Sequence, residues 1–96
     1  MNNTLKISLN DEQGEYAYVS LEDKDNTYII KETYVDKRYR GQGKASELMK
    51  KVIEKAEVDK HRIAATCSYG ISYFEKNPHK LYDKDKSILK EEVCHL

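Results

Sequence analysis

The first third of the chain alternates apolar and polar positions with a period of two. In "TLKISLN" Leu5, Ile7 and Leu9 fall on one face, and in "EYAYVSL" Ala17, Val19 and Leu21 do so, with Tyr16 and Tyr18 opposite. That alternation is the signature of half-buried strands. A third β-rich run, "TYIIKETYV", follows. The polar stretches "DEQG" and "EDKDN" separate the three runs, so the pattern predicts an antiparallel meander with short turns.

After Gly43 the period changes. Ala45, Leu48, Met49, Val52, Ile53 and Ala56 recur at the spacing of one helical stripe, with lysines and glutamates on the other face. Glu47 and Lys51 form an i,i+4 pair in the favourable order. "RIAATC" then reads as a fourth strand, and a strand–helix–strand unit places the third and fourth strands parallel through a right-handed crossover. "SYGISYFEK" predicts a short second helix, stopped at Asn77-Pro78 because proline disfavours helical geometry in the residue before it. The charged tail "DKDKSILKEEVCHL", with a weak stripe at Ile88, Leu89 and Val93, predicts a further short helix. The expected architecture is a mixed α/β (α+β) fold: a three-strand meander, then a βαβ unit with a second short helix. Residues 1–96 are expected to form one domain, with the tail from about residue 84 less determined by pattern.

Composition narrows the choice of function. Lysine plus arginine total 17, as do aspartate plus glutamate, giving a net charge of zero. Nucleic-acid binders carry a basic excess, so an RNA-contacting role for the basic turn is disfavoured and no nucleic-acid partner is expected. Any anion is expected to be held by a local site and not by a broad field. Cys67 and Cys94 are far apart without a CxxC, and His61, His79 and His95 are scattered, so no metal site is expected. With no apolar run of signal-peptide or membrane-span length, a cytoplasmic protein with reduced thiols is expected, monomeric or weakly dimeric.

The segment "VDKRYRGQGKAS" carries the chemistry. Gly41 and Gly43 sit where the third strand hands over to the long helix, whose first turn leaves backbone N–H groups unpaired and carries partial positive charge. Glycines let that backbone approach a phosphate closely, with Arg38, Arg40 and Lys44 able to add charge. A P-loop is excluded, because Gly43-Lys44 is followed by Ala45 and Arg38 stands where the first glycine would be. A dinucleotide fingerprint is excluded by Ser46 at its third small position. The alternative is a sharp strand-to-helix bend with solvated basic neighbours.

"RYRGQGKASELMKKVIEKA" resembles the acetyl-CoA-binding segment of the Gcn5-related N-acetyltransferases, whose signature [QR]-x-x-G-x-[GA] is met by Arg38, Gly41 and Gly43. With "AATCSYGISYFEKNPHKLYD", the chain resembles the minimal single-domain, YjdJ-like branch of that superfamily over about residues 15 to 83. The resemblance implies acetyl-CoA as co-substrate, with its pyrophosphate on the backbone of Arg40, Gly41, Gln42, Gly43, Lys44 and Ala45 and with Arg38 in the motif. It also implies a pantetheine arm along Tyr34 and Val35, and a thioester between the third and fourth strands. Phe74 falls where many members carry the tyrosine that protonates the departing thiolate, and is placed beside the cofactor. Tyr73 is adjacent but points about 100° around a helix.

Cys67, at the end of the fourth strand and the start of a helix, reads equally as an activated thiolate that assists catalysis and as a small buried apolar residue. Glu32 reads first as an exposed strand carboxylate and second as a base for an amine; His61 reads as solvated. Tyr16, Tyr18, Tyr28 and Tyr34 read first as sheet-face packing, with one or two lining an acceptor cleft as the alternative, and Tyr69 and Tyr73 read equally as neighbours of the thioester and as packing residues. The leading expectation is an acetyl-CoA-dependent N-acetyltransferase acting on an amine. A non-catalytic acyl-CoA-binding or sensing module is the alternative, favoured by Phe74 at the tyrosine position.

Overall fold

A computed structural model of the chain describes residues 3–89. Strands β1 (Asn3–Asp11), β2 (Gly14–Lys24) and β3 (Thr27–Val35) precede helix α1 (Lys44–Asp59), strand β4 (Arg62–Ala65) and helix α2 (Ser68–Lys76). The sheet order is β1-β2-β3-β4, antiparallel through the first three strands and parallel between β3 and β4. This is the meander and βαβ unit that the periodicity predicts. Both hairpins close on two residues, Glu12-Gln13 and Asp25-Asn26. Asp25 and Asn26 both adopt positive φ (53° and 55°), as a tight hairpin turn demands and as Asp and Asn tolerate.

The polar stretch Glu22–Lys24, which composition assigns to a turn, belongs to β2 and pairs with Tyr28 and Ile29 of β3 and with Thr27. Charge does not bar a residue from the end of a ladder when its side chain faces water. Two bulges shape the sheet. In the first, Leu9 pairs with Ala17 and Asn10 with Glu15, leaving Tyr16 as an extra residue. Tyr16 is thereby buried instead of lying with Tyr18 on the open face. In the second, Leu21 pairs with Ile30 and Ser20 with Glu32, so Lys31 is extra. The extra residue resets the alternation of β3: Tyr28 and Ile30 before it, and Thr33 and Val35 after it, are all buried.

Helix α1 buries Leu48, Met49, Val52 and Ala56 against this face. Each fully buried aliphatic side chain contributes about 1.5–3 kcal/mol relative to exposure. The far end of α1 is tied to β3: the Tyr28 hydroxyl donates to Asp59, Lys55 reaches Asp59 at 3.2 Å, and the His61 ring stacks on Tyr28 at 4.3 Å. His61 is therefore engaged, also facing Asp23 Oδ1 at 3.1 Å, and not simply solvated.

Strand β4 is shorter than "RIAATC". Its ladder with β3 runs from Thr27↔Arg62 to Ile30↔Ala65. Thr66 donates its N–H to Ile30 O at 2.9 Å, and Cys67 becomes the N-cap of α2. The outer edge of β4 is covered by the segment after α2, through Ile63 N to Leu81 O and Asp83 N to Ile63 O. In the tail a 3-10 turn at Lys84–Lys86 replaces the expected helix as far as Leu89, and Ile88 and Leu89 are exposed. The rest of that expected helix, with Val93 and Cys94, lies outside the described residues. Among the described residues no helix is long and apolar enough to cross a membrane.

Helix α2 approaches the sheet through Gly70. A Cβ there would stand 2.9 Å from Ala65 Cβ and 3.4 Å from Ile30 Cγ2. Gly70→Ala is expected to destabilise by about 1–3 kcal/mol through overpacking, although alanine is the better helix former by about 1 kcal/mol. Urea denaturation measures this; an unchanged or raised stability would contradict the close packing of α2 on Ala65 and Ile30.

Candidate functional site

The turn between β3 and α1 is built by residues distant in sequence. Asp36 accepts the backbone N–H of Arg38 at 3.0 Å and caps a 3-10 turn over Lys37–Tyr39. The Tyr39 ring stacks on Tyr16 with centroids 4.0 Å apart, and its hydroxyl donates to Asp11 at the tip of the β1–β2 hairpin. Arg38 donates from Nε to Asp36 at 3.1 Å and from Nη1 to Gln13 Oε1 at 2.5 Å. Arg40 donates from Nε to the carbonyl of Val35 at 2.9 Å, and Gln42 from Nε2 to the carbonyl of Arg38 at 3.1 Å. Side chains thus hold the turn in shape. Gly41 and Gly43 take φ of 79° and 77°, where any other L-residue is strained.

The consequence lies at the start of α1. Gly43 is the N-cap and offers no side-chain hydrogen bond. The helix begins its own bonding with Glu47 N to Gly43 O at 3.0 Å, so the N–H groups of Lys44, Ala45 and Ser46 precede the first intrahelical donor. They open onto a cleft of about 200 Å³ lined by Val35, Tyr39, Arg40, Gly41, Gly43, Lys44, Ala45, Ser46 and Tyr69. A Cβ built on either glycine would meet nothing within 4 Å, so the backbone is bare to whatever enters. Lys44 stands with its ammonium 5.7 Å from the Tyr16 ring centre and brings positive charge to the cleft. Across it, burial pushes the Tyr69 phenol above its ordinary range, which keeps it protonated and able to donate.

Of the residues expected at the cofactor, Val35, Arg40, Gly41, Gly43, Lys44 and Ala45 therefore meet at one cleft. Gln42 and Arg38 do not line it; the Arg38 guanidinium is occupied by Asp36 and Gln13. Tyr34 stacks on Tyr18 at 5.4 Å, on the side of the sheet away from α1. Phe74 is also outside the cleft: it is buried against Tyr82, rings 4.5 Å apart and 9° from parallel. Tyr39 and Ser46 join the lining without having been singled out. Tyr39 carried a usable signal, an aromatic residue between two arginines just ahead of the glycines.

Cys67 is buried, and its Sγ accepts the N–H of Gly70 at 3.4 Å. Its Sγ also lies 3.7 Å from Thr33 Oγ1. The thiol is thus buried, as one of its two descriptions from the sequence has it, and it receives an N–H at a helix start. Among the described residues no group of three or more His, Cys, Asp or Glu side chains is placed to hold a metal ion.

A mixed four-stranded sheet whose parallel pair parts beside a glycine turn and a bare helix start has the layout of an N-acetyltransferase. The family model described as GCN5-related N-acetyl-transferase matches residues 5–85, and the chain belongs to this family. Among solved structures it is similar to an acetyltransferase from Bacillus cereus ATCC 14579, with a TM-score of 0.64 and 20% identity. That match covers 79% of this chain and 56% of the other, so the chain spans little more than half of that protein's length and shares its fold. Comparison with the curated proteins finds no match.

The carboxylates that hold the turn make it acid-sensitive. The Tyr39 hydroxyl and the Gln13 N–H hold Asp11 below its ordinary value of 3.8, and the Arg38 backbone and side chain do so for Asp36. A lowered folded-state value means stability that is complete above the unfolded value and is lost as pH falls through the folded one. The Asp11→Asn/Asp36→Asn double variant is expected to lose less stability than wild type between about pH 6 and pH 3. Urea denaturation across that range checks it, and equal losses would contradict the assignment.

Proposed function

We propose that this chain is an acetyl-CoA-dependent N-acetyltransferase that holds the coenzyme's pyrophosphate mainly by the backbone. The observation that carries this reading is the cleft at the uncapped start of α1. Its geometry suits an anion: N–H groups with no intrahelical acceptor, the positive end of a helix, and two glycines that leave the approach open. Lys44 adds charge from the side, and Tyr69 closes the cleft opposite the turn. Arg38 and Arg40 act by shaping the turn.

From this cleft the pantetheine arm would follow the main chain of Val35 and Tyr34 towards the place where β3 and β4 part. The reaction joins the acceptor nitrogen to the acetyl carbon and breaks the carbon–sulfur bond. The nitrogen gives up a proton and the departing thiolate takes one. Phe74 cannot supply that proton, having no hydroxyl and being packed under Tyr82. Cys67, whose sulfur receives the Gly70 N–H, is the group we assign to assist. The second reading, an acyl-CoA-binding module without turnover, draws its support from the same two residues, one lacking an acid and the other fully covered.

Two experiments test these statements. Acetyl-CoA at about 100 times its dissociation constant should stabilise the fold by about 2.7 kcal/mol, and each kcal/mol raises Tm by roughly 4–8 °C in a domain of this size. A melting temperature unmoved by millimolar CoA or acetyl-CoA would overturn the proposal. Cys67→Ala and Cys67→Ser are expected to lower turnover at least tenfold, about 1.4 kcal/mol of barrier, while both still bind acetyl-CoA. Wild-type rates in both would remove the thiol from the mechanism, and tight binding with no turnover in wild type would favour the module.

A further inference from the structure

Beside the strand gap, β3 turns a hydroxyl into the core. Thr33 is fully covered and pairs with Val19, which is fully covered too. A valine would match threonine in shape there and bring no polar atom to bury. The hydroxyl therefore needs a partner. Among the described residues that partner is Cys67 Sγ, at 3.7 Å.

The contact has a direction. A thiol donating to Oγ1 would leave the threonine O–H without an acceptor, in a place that water does not reach. With the O–H donating, two donors converge on the sulfur: Thr33 from β3, and the Gly70 N–H at 3.4 Å from the first turn of α2. Hydrogen bonds to a charged acceptor are the strong ones, so this arrangement suits a thiolate better than a thiol. Around it the core is uncharged. The polar side chains buried among the described residues are Thr27, Thr33 and Thr66. Helix α1 and β4 contribute Leu48, Met49, Val52 and Ala65 to the core that holds Cys67. Glu32 of β3 pairs with Ser20 on the other face of the sheet, and burial keeps the Tyr69 phenol of α2 protonated.

The position also fits the chemistry. Thr33 stands three residues beyond Ile30, and Cys67 two beyond Ala65, the pair at which the ladder between β3 and β4 ends. Their contact spans the gap that the two strands leave.

We propose that Thr33 is a positioning residue for Cys67: its hydroxyl donates to the sulfur and completes, with the Gly70 N–H, a two-donor seat that favours the thiolate. The proposal rests on the assignment of Cys67 to assist acetyl transfer. A thiolate so held takes the proton that the acceptor nitrogen gives up. It then passes that proton to the departing sulfur of the coenzyme, and Cys67 ends as it began.

The test uses the full chain with Cys94→Ser, which leaves Cys67 as its single cysteine. Carbon-labelled cysteine reports thiol or thiolate through its Cβ signal in a pH titration. Thr33→Val keeps the shape and removes the hydroxyl, Thr33→Ser keeps the hydroxyl, and circular dichroism checks both folds. Thr33→Val is expected to raise the Cys67 midpoint by about one pH unit or more, the size of a hydrogen bond to a charged group, while Thr33→Ser stays near the parent. At neutral pH Thr33→Val is expected to lower kcat about tenfold, with the KM for acetyl-CoA unchanged, and to recover rate as pH rises. Should Thr33→Val fail to fold, Thr33→Ala against Thr33→Ser gives the same comparison. A midpoint unmoved by loss of the hydroxyl, an equal shift in Thr33→Ser, or a parent thiol that stays protonated wherever the protein is folded would overturn the seat. If Cys67→Ala keeps the wild-type rate, the assignment of Cys67 to catalysis falls, while the titration still judges whether Thr33 holds a thiolate.

Discussion

The parallel ladder between β3 and β4 lasts only from Thr27↔Arg62 to Ile30↔Ala65, and the rest of the molecule is arranged around its ending. Continued pairing would close the sheet and leave no space between the strands. The ending has local causes. Lys31 is an extra residue in β3, and bulges bend and twist the strand that carries them. On the other strand, the bond from Thr66 N to Ile30 O is the last rung, and the chain then turns at Cys67 into α2. The bulge also keeps Thr33 and Val35 on the buried side, so the core continues under the gap while Glu32 turns to the open face.

The turn between β3 and α1 shows a division of labour between side chain and backbone. A cluster of arginines beside glycines invites the reading that the arginines bind the anion. In the structure Arg38 binds Asp36 and Gln13, and Arg40 binds the carbonyl of Val35. These contacts, with Tyr39 stacked on Tyr16, hold Gly41 and Gly43 in a left-handed conformation. That conformation directs the helix start into the cleft. Charge in the turn is spent on geometry, and the geometry presents the amides.

Much of the fold was legible because its elements are periodic. Leu5, Ile7 and Leu9, and then Leu48, Met49, Val52 and Ala56, announce a strand and a helix by spacing alone. The two bulges were not legible, since an extra residue changes no composition and only shifts which neighbour faces inward. Tyr16 was therefore placed on the wrong side, and the resetting of β3 at Lys31 went unseen. At the site, the glycine turn and its backbone lining followed from the motif. The positions of Arg38 and Phe74 depended on partners that pattern cannot supply: Gln13 on a separate hairpin, and Tyr82 in the segment beyond Pro78. Cys67 was readable as a residue at a junction, but its burial and its bond from Gly70 needed the tertiary contact.

The claim that the backbone at the start of α1 binds the coenzyme can be read amide by amide. Titrating the isotope-labelled protein with CoA and following its backbone N–H signals is the most direct test. The largest shifts are expected on Gly41, Gly43, Lys44, Ala45 and Ser46, with Tyr69 across the cleft following. Shifts concentrated instead around Phe74 and Tyr82, with the amides of the turn unmoved, would contradict it.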